Sequence, residues 1–430
     1  MASSEGQTTP KLGLGGAWAM AVGGMVGGGI FSALGVVLEI AGPWAPLSFL
    51  LAGIVALVTA VNYARLARAF GEGGGAFTFL REMKRDAAAG ALSWVLLMGY
   101  TLTIGVYAFT FGHYLAHTLG LGGATSRLAG VGIVVALVGL NILGVGHAAW
   151  FEIVSVWGKL IILFGLAALG LFRGSTERLF EASAGAPGGF VPAIAGAAAI
   201  FMAYEGFQLL AYDYEDLRDP DRTLLRAVLL AVTLVILLYL LVTVGSVMLI
   251  GADQIIEHKE ISLAIVGTSA LGHSGMVLAG VAAVLSTGSA INATLFATAR
   301  LAKRVAEDGE LPRLFAWENV RGLPVGSIIA IGLGGATLAA VGSLTRLVEA
   351  ASLAFLVTFA IVNALGALEL KTGRGLAWGG CLIAGGAAVA LALRLATEAW
   401  WVLGVLSVIV VAAFALRPLV HRSNGRHRVG

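Results

Sequence analysis

The feature that most restricts this chain is a succession of apolar blocks, each about 20 residues long, separated by short charged loops. A block of that length crosses a hydrocarbon core of about 30 Å as a single helix. Length, rather than periodicity, is what separates such a helix from a buried strand. About 12 segments meet the criterion. The first five run Leu14–Ile40, Pro43–Phe70, Ala88–Leu119, Leu128–Gly146 and Phe151–Phe172. A Gly/Pro-rich loop leads to Phe190–Leu217, Leu224–Ile250, Gly275–Val305, Val325–Val341, Leu347–Leu370, Leu376–Leu395 and Trp400–Leu416. The stretch Arg81–Asp86 reads as a charged loop, and Ile261–Leu271 as a short amphipathic helix outside the membrane.

Composition agrees with an all-α membrane protein. Of the 430 residues, 58% are hydrophobic and only 12% charged. A soluble domain carries roughly 25% charged residues, so the polar surface is too small to wrap a soluble particle. The 61 glycines against 9 prolines suit closely packed membrane helices better than loops. Cys381 is the single cysteine, which excludes an intrachain disulfide framework. The first apolar stretch, from about Leu12 to Ile40, is too long for the core of a cleavable signal.

Lysine and arginine set the expected orientation. With the N-terminus in the cytoplasm and alternate threading, 20 of the 27 Lys/Arg fall on the cytoplasmic side. Arg127, Arg173, Arg178, Lys259, Arg346 and Arg394 fall outside, and Lys159 lies within the fifth segment. Both termini are therefore expected in the cytoplasm, and the basic tail, with Arg417, Arg422, Arg426 and Arg428, suits an anionic lipid surface. The net charge of +3 carries no implication of nucleic acid, and no obligate protein partner is evident.

Four segments carry polar chemistry. The first contains Gly23-Gly24-Met25-Val26-Gly27-Gly28-Gly29, with five glycines in seven positions. Each glycine weakens a helix by up to about 1 kcal/mol relative to Ala. A break there frees N–H and C=O groups, tolerated at membrane depth only where the backbone lines a cavity or finds a partner. A zwitterion is such a partner: its carboxylate suits N–H groups at the start of a second half-helix, its ammonium the unwound carbonyls. Close helix packing explains the glycines equally well. The sixth segment supplies Met202-Ala203-Tyr204-Glu205-Gly206-Phe207, an ionisable residue beside a glycine at the corresponding place five segments on. Paired interruptions of this kind point to a transporter site. We expect breaks near Gly23–Gly28 and Met202–Gly206.

Lys159 sits roughly 12 Å along its helix from Phe151, a long way to snorkel. An intramembrane charge is a functional candidate by default, here for ion or proton transfer. Ser286 and Ser289 share a face of the eighth segment, available to a cation or to neighbouring helices. No enzyme constellation is visible: His113 and His117 lack further metal ligands, and no nucleophile–base pair stands out.

With these residues in hand, the chain resembles the amino acid–polyamine–organocation transporters over nearly its whole length. The stretch Met20–Phe31 resembles that family's G-x-x-x-G-x-G-I-F break, and Tyr204–Phe207 its sixth-helix break. Glu215–Pro220, Asn292–Thr294 and Glu307–Pro312 resemble its connecting loops and eighth helix. Lys159 matches, in position and surroundings, the lysine that replaces sodium in the proton-coupled ApcT-type branch. The resemblance implies a five-plus-five inverted repeat, at about 12–172 and 188–370, with extra helices at about 374–417 and a tail at 418–430. It also implies a moving bundle of helices 1, 2, 6 and 7 against a scaffold.

The expectation is a single-domain amino acid transporter of the cytoplasmic membrane, coupled to protons, with no cofactor. Gly23, Val26, Gly27, Gly28, Gly29, Met202, Ala203, Tyr204, Glu205 and Phe207 are the candidate substrate-binding residues. Lys159, Ser286 and Ser289 are the candidates for proton coupling. An exchanger, a cationic amine carrier using Glu205, and a non-transporting amino acid sensor are the alternatives.

Overall fold

A computed structural model describes residues 11–73, 75–144, 149–180, 189–408 and 411. The basic tail, the loop at 181–188, His147 and the far end of the twelfth expected segment lie outside the described residues. Within them the chain is all-α. The helices are α1 Leu14–Met25, α2 Gly29–Ala41, α3 Ala45–Phe70, α4 Gly75–Glu82, α5 Asp86–Thr118, α6 Gly123–Ile142, α7 Ala149–Arg173 and α8 Phe190–Ala199. After these come α9 Leu209–Tyr212, α10 Pro220–Ile250, α11 Ala252–Glu257, α12 Ser262–Leu271, α13 His273–Glu307, α14 Val325–Val341, α15 Leu344–Glu369 and α16 Arg374–Glu398. Residues 400–408 are also helical. Among the described residues, eight helical stretches are long and apolar enough to cross a membrane, and α14 falls just short of that length.

The chain punctuates its helices as the sequence leads one to expect. Pro220 starts α10, where its missing N–H costs nothing, and Gly71, at φ +70°, ends α3 while its N–H caps Ala67 O at 2.8 Å. The core is continuous and apolar, and some of its polar members are paired across helices. Asn62 of α3 donates to Asn363 of α15 (2.6 Å), which donates in turn to Thr59 (2.9 Å). Glu349 of α15, fully buried, is held by Arg346 (2.8 Å) and by Arg394 of α16 (3.0 Å). Such pairings satisfy polar groups that hydrocarbon cannot.

Two expectations need correction. The charged loop expected at Arg81–Asp86 is shorter, at residues 83–85: α4 ends at Glu82 and α5 begins at Asp86. The reason is amphipathic burial, since Phe77, Phe79 and Leu80 enter the core while Arg81 pairs with Asp308. The first break is also shorter than expected. Gly23 and Gly24 remain helical, with Val26 N bonded to Val22 O at 2.8 Å, and only residues 26–28 lie outside helix. The second interruption is wider than expected, spanning 200–208 around a tight turn at Phe201–Tyr204.

Candidate functional site

The two interruptions meet. A Cβ on Gly24 would lie 3.1 Å from Gly206 Cα, and one on Gly206 would lie 2.6 Å from Gly24 C. Gly206 also adopts φ +126°, a region that L-residues with side chains avoid. Only glycine at both positions lets the broken helices touch backbone to backbone. Gly29 approaches the second interruption as closely, since its Cβ would meet Ala203 O at 2.6 Å.

Neighbouring helices satisfy the backbone groups that the breaks release. Lys159 of α7, 3% exposed, donates from Nζ to Gly23 O at 3.0 Å. Its ammonium therefore ends at the first interruption rather than at a membrane surface. The Tyr239 hydroxyl of α10 lies 2.8 Å from Met25 O and 2.9 Å from Ala203 O, so one side chain spans both breaks. Ser352 of α15 accepts from Met202 N (3.0 Å) and donates to Ala199 O (2.7 Å). Among the described residues, Gly28 N and Gly29 N, at the start of α2, donate no hydrogen bond. They are the donors that a helix N-terminus leaves for an anion.

The other sequence candidates distribute as follows. Val26, Met202 and Ala203 are fully buried between the breaks. Gly27 faces Ala290 of α13, and Gly28 lies against the Tyr107 ring of α5. Tyr204 turns to α3 and donates to Phe49 O at 2.7 Å. Phe207 joins an aromatic cluster with Tyr63 and Phe359, at ring separations of 6.0 and 5.4 Å. Ser286 Oγ is buried without a hydrogen-bond partner, whereas Ser289 Oγ donates to Ser286 O of its own helix at 3.1 Å. Asn292, in the same motif, serves α6 by accepting from Asn141 at 2.6 Å.

Glu205, 2% exposed, sits in a polar pocket of neutral groups. Its Oε1 accepts from Gln208 Nε2 at 3.0 Å, and Gln208 Oε1 accepts from Gly206 N at 3.0 Å. Gln208 Nε2 also reaches Tyr100 OH at 3.3 Å, and Tyr100 OH meets Tyr212 OH at 2.8 Å. Sequence reasoning gave no role to Tyr107, Tyr239, Ser352, Tyr100 or Tyr212. The available signal was chemical: a tyrosine inside an apolar helix needs a partner for its hydroxyl.

Below the breaks, the Leu12 backbone pairs with Asp216 O and with Arg218 N, each at 2.9 Å, tying the entry to α1 to the loop before α10. Beside it Asp213 pairs with Arg300 of α13 at 2.6 Å.

The sequence is similar to those of known membrane transport proteins. An uncharacterised protein of Methanocaldococcus jannaschii is 32% identical over 75% of this chain and 75% of its own length. The inner membrane transport protein YbaT of Escherichia coli is 30% identical over 81% of this chain and 83% of its own. The serine/threonine exchanger SteT of Bacillus subtilis is 26% identical over 70% and 69%. The amino acid permease profile matches residues 12–424, and the chain therefore belongs to the amino acid permease family of multi-pass membrane transporters.

Proposed function

We propose that the protein is a proton-coupled amino acid symporter of the cytoplasmic membrane, working by alternating access with both termini in the cytoplasm. The observation that carries the coupling is the Lys159 ammonium on Gly23 O at 3.0 Å. A fixed cation at that point takes the place of a coupling metal ion. Protonated, Lys159 ties α7 to α1 beside the first break. Deprotonated, it no longer donates its charge to that carbonyl, the contact loosens, and the balance between access states shifts. Ser286 of α13 keeps a buried hydroxyl without a hydrogen-bond partner, an acceptor open to a cation. The role of Ser289 is then secondary, since its hydroxyl is spent within α13.

In this reading the substrate carboxylate meets Gly28 N and Gly29 N, assisted by the chain from Val26 to Gly27. The substrate ammonium meets carbonyls near Gly23, Met202 and Ala203. Tyr204, Glu205 and Phe207 belong to the wall of the site. Main-chain recognition selects an α-amino acid and leaves its side chain to the surrounding wall. The test is uptake into proteoliposomes across a panel of the twenty L-amino acids and putrescine, with a pH gradient, a sodium gradient or neither. Accumulation of amino acids driven by the pH gradient alone supports the reading; dependence on sodium contradicts it. SteT is named an exchanger, so counterflow without gradient-driven accumulation would assign this chain to exchange instead.

A further inference from the structure

Glu205 is used by nothing in the coupling scheme above, yet it is among the most deeply placed ionisable groups of the fold. Its surroundings can be enumerated. On its own turn stands Gln208. From α5 come Tyr100 and Tyr107, from α9 Tyr212, and from α10 Tyr239. Tyr63 of α3 stands behind Tyr100, and α15 contributes Phe355 against the Tyr100 ring at 5.4 Å. Among these facing groups there is no lysine, arginine or histidine. A carboxylate closed in by neutral donors is an expensive charge. A proton removes that charge without any partner side chain.

A route for the proton is also present. Tyr212, partly exposed, ends α9 next to the Asp213–Arg300 pair. Its hydroxyl meets that of Tyr100 at 2.8 Å, and Gln208 Nε2 stands between Tyr100 OH (3.3 Å) and Glu205 Oε1 (3.0 Å). Tyrosine hydroxyls both donate and accept, as a relay requires. We propose that Glu205 is a second proton-binding site, reached from the Asp213–Arg300 end of the bundle through the hydroxyls of Tyr212 and Tyr100. Gln208 is the positioning residue: its amide fills the last step of the relay, and movement of the Gly206 hinge swings it clear. Tyr212 then gives its proton to Tyr100 as it takes one from a hydronium ion, which is left as water, and Tyr100 gives its own to Glu205. One O–H bond breaks on the hydronium, one breaks and reforms on each tyrosine, one forms on the carboxylate, and nothing is oxidised or reduced. The consequence for transport rests on the proton-coupled reading above, whereas the site itself does not.

The experiment is infrared difference spectroscopy of the purified full chain in lipid, stepped in pH, reading the C=O stretch of protonated carboxyl groups. The expected result is a band that titrates in the wild type, is lost in Glu205→Gln, and is shifted but present in Glu205→Asp. Tyr212→Phe is expected to keep the band and slow its appearance after a pH jump. A wild type with no titrating band, or a band unchanged in Glu205→Gln, overturns the site. Unaltered kinetics in Tyr212→Phe overturn the route. Proton uptake is recorded in parallel with a pH dye during uptake of the amino acid panel. If the Glu205 band is present but no amino acid carries protons with it, the symport reading fails and the proton site stands.

Discussion

Gly24 and Gly206 touch through their backbones, one at the end of α1 and the other at the turn before α9. The contact joins two interrupted helices at the place where their freed backbone groups gather. Gly206→Ala introduces a Cβ 2.6 Å from Gly24 C at a residue with φ +126°. Strain of this kind costs roughly 1–3 kcal/mol if the backbone stays in place. We expect a lower melting temperature in detergent and a loss of uptake, with insertion into the membrane retained. Wild-type uptake in Gly206→Ala would show that the two breaks need not touch.

Tyr239 offers a second check on the same region. Its hydroxyl serves Met25 O and Ala203 O, one from each break. Tyr239→Phe keeps the ring and leaves those acceptors short of a donor, at a cost of about 1–3 kcal/mol. Thermal unfolding and initial uptake rate should both fall. Tyr204→Phe, whose hydroxyl serves Phe49 O on α3, should destabilise comparably while disturbing only the second break.

Asp213 and Arg300 form an ion pair at 2.6 Å, with Arg300 half exposed. A partly exposed pair of this kind contributes roughly 0–1 kcal/mol and is screened by salt. Asp213→Asn should lower the melting temperature by at most a few degrees at low ionic strength, and by less at high salt. Melting curves at the two ionic strengths measure it; an unchanged melting temperature at low salt would show that the pair contributes nothing to stability.

Much of this architecture is legible in the sequence, because membrane helices are specified by length and apolarity. Val325–Val341 is read to the residue, and α3, α5, α10 and α13 to within a few. The interruptions are legible as glycine density, but their limits are not. Gly23 and Gly24 are helical despite the cost of glycine in a helix, held by the Lys159 bond to Gly23 O and by the packing of Gly24 on Gly206. The α4 helix was hidden by charge: Arg81 and Glu82 look like a loop, while Phe77, Phe79 and Leu80 supply the buried face. Lys159 was visible as an anomaly, and its distance from either end of the segment pointed inward. Tyr239, Ser352 and Tyr107 were invisible because they come from helices remote in sequence, and only tertiary packing brings them to the breaks.

In the proposed cycle Lys159 couples amino acid movement to protons through an ammonium held 3.0 Å from Gly23 O. The most direct measurement compares wild type and Lys159→Ala in proteoliposomes, each assayed for counterflow and for accumulation driven by an imposed pH gradient. The wild type is expected to concentrate amino acid without sodium, and Lys159→Ala to lose this accumulation while its fold and some counterflow persist. A Lys159→Ala protein that still concentrates substrate with the pH gradient, or a wild type that requires sodium, would contradict it.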